Sequence, residues 1–532
     1  MPAVPLSQVA VHLHPKDNIA VAARPLPPGA EVQVNGSALT VASRVGLGHK
    51  VALRPIRKGE PVCKYGQIIG FASRDIAAGE HVHVHNVSAA AFERDYAFCR
   101  DTPPRPIPPG ADTPGSPAVR FWMGYDRGPD RPDHLRYGTR NYVAIISTVN
   151  CSASTSKYIS ERIRAADLLR QYPNVDGVFA ITHKGGCAMQ YDGPDHNQLD
   201  RTLAGFAKHA NVGAYILVGL GCETGQAIHL IEGQGLHQLW PAAGLAPAGP
   251  LVLTIQECGG IGKTVEAGVR AVAELLPRVN DVKRVRLGAD KIILGTNCGG
   301  SDGNSGVTAN PALGVASDLI VAQGGTAIIG ETPEIYGAEH LLTRRAVSRE
   351  VGEKLVERIK WWEWYTGIFG AEINNNPSPG NKEGGLTTIY EKSLGAIAKG
   401  GSTALVDVVR YAEPVTARGF VVMDTPGHDP VSMTGIVAGG ANVLVFTTGR
   451  GSVFGCKPAP SIKVATNTPL YRHMTDDMDI NAGVILEGTP VEEVGRQIFE
   501  EVLAVASSKK TKSEINGVGE EEFAPWSIGP TL

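Results

Sequence analysis

The chain has 532 residues, with 50 Lys and Arg against 53 Asp and Glu, a formal net charge of −3. That balance excludes a dedicated nucleic-acid binder, which carries a basic domain, and 42% hydrophobic residues supply a core that folds without disulfide staples. The 64 glycines show no collagen period, so they predict many tight loops of the kind that bring backbone close to ligands.

The opening string MPAVPLSQVAVHLHPKDN lacks a basic n-region and an uninterrupted apolar h-region. No apolar run reaches the ~20 residues of a membrane helix. With eight dispersed cysteines, these features predict a cytoplasmic protein with reduced thiols and no membrane partner.

Residues 1–95 read as a small all-β module. VQVNGSALTVAS, KVALRPI, PVCKYGQIIGFAS and EHVHVHNV are short, partly alternating runs separated by glycine or charged turns. Residues 96–120 read as a linker, since 101–117 hold seven prolines, the composition of a semi-extended polyproline segment. Two α/β portions follow, at 121–285 and 286–532. In them apolar runs end in a glycine or cysteine loop and lead into helical stretches. Cys151, Cys187, Cys222, Cys258 and Cys298 close five such runs at spacings of 36, 35, 36 and 40 residues, about one strand and one crossover helix each. The predicted class is α/β with mostly parallel sheets. Further strands are expected in TAIIGETPE, TALVDVV, GFVVMDTPG and NVLVFTTGRGS, and helices at 156–171, 264–276, 338–365 and 490–507.

Ligands of an open α/β sheet bind beyond the carboxyl ends of its strands, where these cysteines fall. Cys151, Cys187, Cys222 and Cys298 are therefore candidate thiolate ligands for iron or an iron–sulfur cluster, although no CxxC spacing marks a local motif. The alternative is a small buried hydrophobe at each turn. In HVHVHN, period-two alternation puts His81, His83 and His85 on one strand face, with Val82 and Val84 opposite. Six of the 15 histidines lie in the first 85 residues, which sets a metal or anion site level with the alternative of a solvated strand face. Glycine-rich loops at 219–225, 297–306, 376–385 and 447–452 offer backbone N–H groups to anions. None fits a Walker or dinucleotide motif, which counts against a nucleotide-dependent enzyme. Trp361, Trp362, Trp364 and Tyr365 read as packing.

The strings HPKDN (14–18), GHKVA (48–52), HVHVHN (81–86), TVNCSA (148–153), GLGCE (219–223), NCGGSDGNSGVTANPA (297–312), ETPEIYGAEH (331–340), NPSPGNKEGGLTTIYEKSLGA (376–396) and FTTGRGS (446–452) resemble the altronate/galactarate dehydratase family. The resemblance runs from about residue 14 to the end, apart from the linker. It implies an N-terminal SAF-like β-clip domain and a large catalytic α/β portion. It also implies loss of water from a sugar acid to a 2-keto-3-deoxy product, with iron(2+) or another divalent metal such as manganese. HVHVHN and THKGGC are closer to the altronate branch; galactarate dehydratase and the related sulfolactate sulfo-lyase are the alternatives. Two departures stand out, a long run at 124–141 and Lys184-Gly185 in place of a small pair.

Such a dehydration needs a base at C2, positive charge on the carboxylate and help for the departing C3 hydroxyl. The candidates for that chemistry are His14, Asp17, His49, His83 and His85, with Lys50 or Lys64 as base or carboxylate anchor. Arg140, Asn297, Ser301, Asp302, Lys382 and Arg450 are candidates for substrate binding. The four cysteines supply the alternative metal site, acting on the C3 hydroxyl. The expected partner is a small sugar acid, in a chain that also suits a homo-oligomer. A different class, a sugar-acid binding or regulatory protein without turnover, is the competing reading.

Overall fold

The structure is a computed structural model that describes residues 3–111, 113–129, 131–237 and 249–529. Asp112 of the linker, Asp130 of the long run, residues 238–248 of the second portion and 530–532 at the end lie outside the described residues.

The N-terminal module contains β1 (Ala10–Val11), β2 (Ile19–Ala22), β3 (Lys50–Ala52), β4 (Pro61–Lys64), β5 (Gln67–Ala72), β6 (His81–Val82) and β7 (Val87–Ser88). The first three pair antiparallel with β6 in the order β1-β2-β3-β6, and a second sheet runs β7-β5-β4. Ile19, Val21, Val62 and Ile69 are buried in one apolar cluster with Val307, Ile329, Leu342 and Leu394 of the C-terminal portion. The module's core is thus continuous with that of its neighbour.

The second portion is built from β8 (Tyr142–Ser147), α1 (Ala153–Ala165), β9 (Gly177–Ile181), α2 (Pro194–Lys208), β10 (Val212–Gly219), β11 (Leu251–Thr254) and α3 (Ile261–Asn280). Its sheet is parallel, in the order β9-β8-β10-β11. Every residue of β8 is buried. Val143 and Ile145 pack with Ile159 and Val272 on one face, and Ala144 and Ile146 pack with Leu203 and Phe206 on the other. Burial of both faces explains why this strand reads as a continuous apolar run.

The C-terminal portion adds β12 (Ile293–Cys298), α4 (Ala309–Ala322), β13 (Thr326–Ile329), α5 (Arg349–Ile368), α6 (Ile389–Ala396), β14 (Leu405–Val409), β15 (Gly419–Met423), α7 (Asp429–Ala438), β16 (Val443–Thr448), β17 (Ser461–Ala465), β18 (Ile480–Asn481) and α8 (Val491–Ala506). Its seven-stranded parallel sheet runs β14-β15-β13-β12-β16-β17-β18. A small β module before two helix-covered parallel sheets is the α/β class expected. Among the described residues no helix is long and apolar enough to cross a membrane.

Four local expectations need correction. The HVHVHN strand ends at Val82: Asn86 Oδ1 accepts from His83 N–H at 2.8 Å and closes a turn, which leaves Val84 46% exposed. The helix expected at 338–365 is split into Glu339–Thr343 and α5. Between them Val347 N–H donates to Leu405 O, and Ser348 caps α5 by accepting from Val351 N–H. The helix expected at 156–171 starts earlier, at Ala153, and ends at Ala165, because Asp167 takes a left-handed conformation (φ +49°). The linker is a strap rather than a free tether: Cys99 and Asp101 N–H donate to Thr343 and Arg344 carbonyls, and Gln323 Nε2 donates to Ala118 O.

Candidate active site

The strand pair β3 and β6 aligns Val51 with His81, so His49 at the head of β3 comes beside the histidines at the end of β6. The ligand nitrogens of His49, His81 and His83 all lie within 4.8 Å of one another. His49 Nε2 donates to Glu383 O at 3.0 Å, which fixes that tautomer and turns the Nδ1 lone pair toward His81 Nε2, 3.0 Å away. Neighbouring nitrogens on one ion with bonds of ~2.1 Å are spaced about this far apart. Buried His83 Nδ1 has no hydrogen-bond partner. Burial, reinforced by neighbouring cationic groups, pushes His83 down to about 3 and His81 to about 4, and lowers His49. Three neutral imidazoles with converging lone pairs, one of them orphaned, form a donor set that fits a divalent metal such as iron(2+) or manganese.

The C-terminal portion forms the wall of this centre. Gly303 and Gly385 (φ +104°) abut the Gly48 carbonyl so closely that a Cβ on either would lie 1.9 Å or 2.6 Å from it. Only glycine lets the Gly48–His49 turn seat there. The loops 297–306, 376–385 and 447–452 meet at this point. Gly303 N–H donates to Gly384 O, Arg450 N–H to Gly300 O, and Asn381 Nδ2 to Ser301 O. The fourth glycine loop, at 219–225, belongs to the other sheet. Arg450 is half exposed, Lys382 is partly so, and Arg450 Nη2 reaches Glu383 at 3.4 Å. The rim beside His49 is therefore cationic and open.

The other sequence candidates separate by what they touch. Lys50 Nζ donates to Gly385 O and to both oxygens of Glu391, and Lys64 Nζ donates to Gly303 O and Glu391 Oε1. All three side chains are wholly buried. Burial would raise the Glu391 carboxyl, yet the two ammonium groups hold it far below the usual carboxylate range, while burial pulls Lys50 down to about 8. The lysines pin the module to the C-terminal portion. Asp17 accepts from the N–H groups of Tyr65 and Gly66, and His14 packs against Gly66, so both shape the Tyr65 turn outside the imidazole cluster. His85 is exposed, its ring 5.5 Å from that of His81.

Asp302 is buried and accepts from Thr466, Ser305, Asn304 and Asn467; it organises the loops. Ser301 bonds Cys298, and Asn297 Nδ2 donates to Asp429 at 2.7 Å with its own Oδ1 unpartnered. Arg140 directs all its N–H groups at Glu514 and the Thr139, Val505 and Lys509 carbonyls, far along the chain from these loops, as an interdomain clamp. Cys298 is buried in the C-terminal sheet and burial raises its thiol, whereas Cys151, Cys187 and Cys222 are exposed at the ends of the other sheet's strands. The four cysteines do not form one site.

Sequence reasoning placed His81 on the right face but outside the leading candidates. It also missed Glu391 and a buried row beyond Cys298, in which Lys392 pairs with Glu334 at 2.7 Å and Lys399 with Glu331 at 2.5 Å. The repeated His-x-His was the signal available for His81; no local pattern marks the acids.

Family models for the altronate/galactarate dehydratase SAF domain, the second domain of D-galactarate dehydratase/altronate hydrolase, and the C-terminal domain of D-galactarate/altronate dehydratase match residues 8–90, 124–280 and 289–531. Altronate dehydratase of Bacillus subtilis (strain 168) is 33% identical over 525 residues, 98% of this chain and 99% of the relative. Altronate dehydratase of Escherichia coli (strain K12) is 34% identical over the same shares. Galactarate dehydratase (L-threo-forming) of Escherichia coli (strain K12) is 37% identical over 505 residues, 94% and 93% of the two chains. The module, the two parallel sheets and the full-length matches together establish that the chain belongs to the altronate/galactarate dehydratase family, whose members are sugar-acid hydro-lyases.

Proposed function

We propose that the protein dehydrates D-altronate to its 2-keto-3-deoxy acid at the seam between the β module and the C-terminal loops. The observation that carries this reading is the set of three imidazole nitrogens within 4.8 Å of one another beside the Arg450 rim. His49, His81 and His83 hold the divalent metal, iron(2+) in the first instance. When bound there, the ion supplies positive charge to the substrate carboxylate and to the charge that develops on it as C2 loses its proton.

The remaining work falls to the chain's own groups. Arg450 and Lys382 orient the carboxylate from the rim; guanidinium suits a carboxylate through its paired N–H groups. His85 lies on the open side, outside the ligand set, and accepts the C2 proton. The electron pair left at C2 forms the C2–C3 double bond as the C3 hydroxyl departs as water, taking back the proton that His85 has accepted. The resulting enol then becomes the 2-keto acid. Backbone N–H groups of the converging glycine loops receive the remaining oxygens.

The test is turnover by full-length protein purified without oxygen and supplied with ferrous iron. D-altronate and galactarate are offered separately, and 2-keto-3-deoxy product is measured. Product from altronate alone supports the reading. Product from galactarate alone assigns the other branch. No product from either acid, with iron bound, overturns the sugar-acid assignment and moves the search to other hydroxy acids, including sulfolactate.

A further inference from the structure

The second portion carries chemistry that the histidine centre does not use. Its sheet places β9, β8 and β10 side by side and parallel. Each of these strands runs into a loop at its carboxyl end, and each loop presents one exposed cysteine: Cys187 after β9, Cys151 after β8 and Cys222 after β10. Free cysteine is among the most frequently buried residue types. Three exposed thiols on three adjacent strand ends are not accounted for by packing. Cys258, which follows the edge strand β11, behaves differently: it is half-buried and packs against the apolar cluster of Val265 and Leu253.

The three loops are tied to one another. Asn150 N–H donates to Gly185 O at 3.0 Å, which joins the Cys151 loop to the Cys187 loop. Gly225 N–H donates to Gly186 O at 3.0 Å, which joins the Cys222 loop to the same segment. Gly186 (φ +91°) sits so close over Thr148 that a Cβ would lie 2.3 Å from its carbonyl oxygen, so glycine is required for this approach. Glu223 holds the third loop by accepting from Leu220 N–H, Gly221 N–H and Thr148 Oγ1. Gln256 Nε2 donates to Cys222 Sγ at 3.4 Å. Beside them opens a cavity of about 620 Å³ lined by Cys187, Asn150, Lys184 and His183.

The three thiols are not gathered as a single ion would gather them. Thiolates on one tetrahedral ion with Zn–S bonds of ~2.3 Å stand about 4 Å apart. Among the described residues, groups gathered within 4.8 Å comprise the three histidines and not these cysteines. An iron–sulfur cluster carries its thiolates on different irons and sets them farther apart. We propose that Cys151, Cys187 and Cys222 form a second, thiolate site that holds an iron–sulfur cluster through three ligands, separate from the imidazole centre of the β module. This assignment stands independently of the substrate proposed above.

The experiment uses the full chain, reconstituted without oxygen with ferrous iron and sulfide, then desalted. Iron, acid-labile sulfide and the visible absorption of the protein are measured. Expected is bound sulfide with a broad thiolate-to-iron absorption band. That signal is lost in Cys151→Ser, Cys187→Ser and Cys222→Ser, and kept in Cys258→Ser. His49→Ala keeps the sulfide and the band, so failure of the histidine reading and of this one are distinguishable. Circular dichroism of each variant shows that the fold is intact. Wild-type protein that retains no sulfide, or a Cys151→Ser/Cys187→Ser/Cys222→Ser triple variant that retains it, overturns the proposal.

Discussion

Lys50 Nζ lies 2.8 Å from Glu391 Oε2, and neither side chain touches solvent. Thr388 sets this contact up: its hydroxyl caps α6 by accepting from Glu391 N–H and donates to Ile69 O of the β module. The Glu391 carboxylate also receives Thr387 and Lys64, so one acid is shared by two lysines across the seam. Removing one partner of a buried ion pair leaves charge without compensation and costs about 3–5 kcal/mol. Glu391→Gln is therefore expected to lower stability by about that amount. Urea unfolding measures it; a loss under about 1 kcal/mol, the size of an exposed pair, would contradict the pin.

The imidazole centre makes a graded prediction. His49→Ala, His81→Ala and His83→Ala each remove a ligand nitrogen and are expected to weaken ferrous binding by more than the roughly 10–100-fold lost when only an outer partner of a ligand is removed. His14→Ala should change affinity by no more than about twofold, the scale of a substitution away from the site. His85→Ala should keep the metal and lose turnover. Iron content after dialysis and initial rates separate these cases. Full activity in both His49→Ala and His85→Ala would place the chemistry elsewhere.

Arg450 is 48% exposed and its pair with Glu383 is long, at 3.4 Å, so the fold has little stake in it. A hydrogen bond to a charged group contributes about 1.5–3 kcal/mol. Arg450→Ala should therefore raise KM roughly 10–100-fold while leaving thermal stability nearly unchanged. Steady-state kinetics with D-altronate reads the change. An unaltered KM would remove Arg450 from carboxylate recognition.

Asp429 begins α7, facing Asn297, Glu334, Lys392 and His428. Burial first, and Glu334 second, raise its carboxyl from 3.8 to about 6. A raised acid favours the protonated folded form, so its contribution is fully present below pH 3.8 and is lost as pH climbs through 6. Asp429→Asn keeps an acceptor for Asn297 and carries no charge. Its stability advantage over wild type should grow between pH 4 and 6 and level off above, at a size on the order of 3 kcal/mol. Denaturation across that range checks the slope; a constant difference would refute it.

The features legible in the sequence are those with a local signature. β8 is readable because both its faces are buried, which makes YVAIIS apolar without interruption. The strand-end cysteines are readable because a strand, loop and helix recur at nearly constant length. HVHVHN announced a cluster even though its strand stops at Val82, since the turn closed by Asn86 keeps His83 beside His81. Long-range pairing left no such trace. Lys50 and Glu391 are separated by 341 residues, and nothing near Lys50 distinguishes a base from a pin. Arg140 reads as a substrate anchor but answers to Glu514, 374 residues away. The acid of each pair is an unremarked Glu until the fold brings it to its cation.

The hydrogen bond from His49 to the Glu383 carbonyl spans 334 residues of chain. During synthesis at about 5–20 residues per second, the module's histidines leave the ribosome tens of seconds before the loop that sets the tautomer of His49 exists. Until then nothing turns that nitrogen toward its neighbours. The ligand set we propose is therefore complete only once the chain has been made as far as Glu383, and a nascent product that stops short of it carries an unformed imidazole cluster.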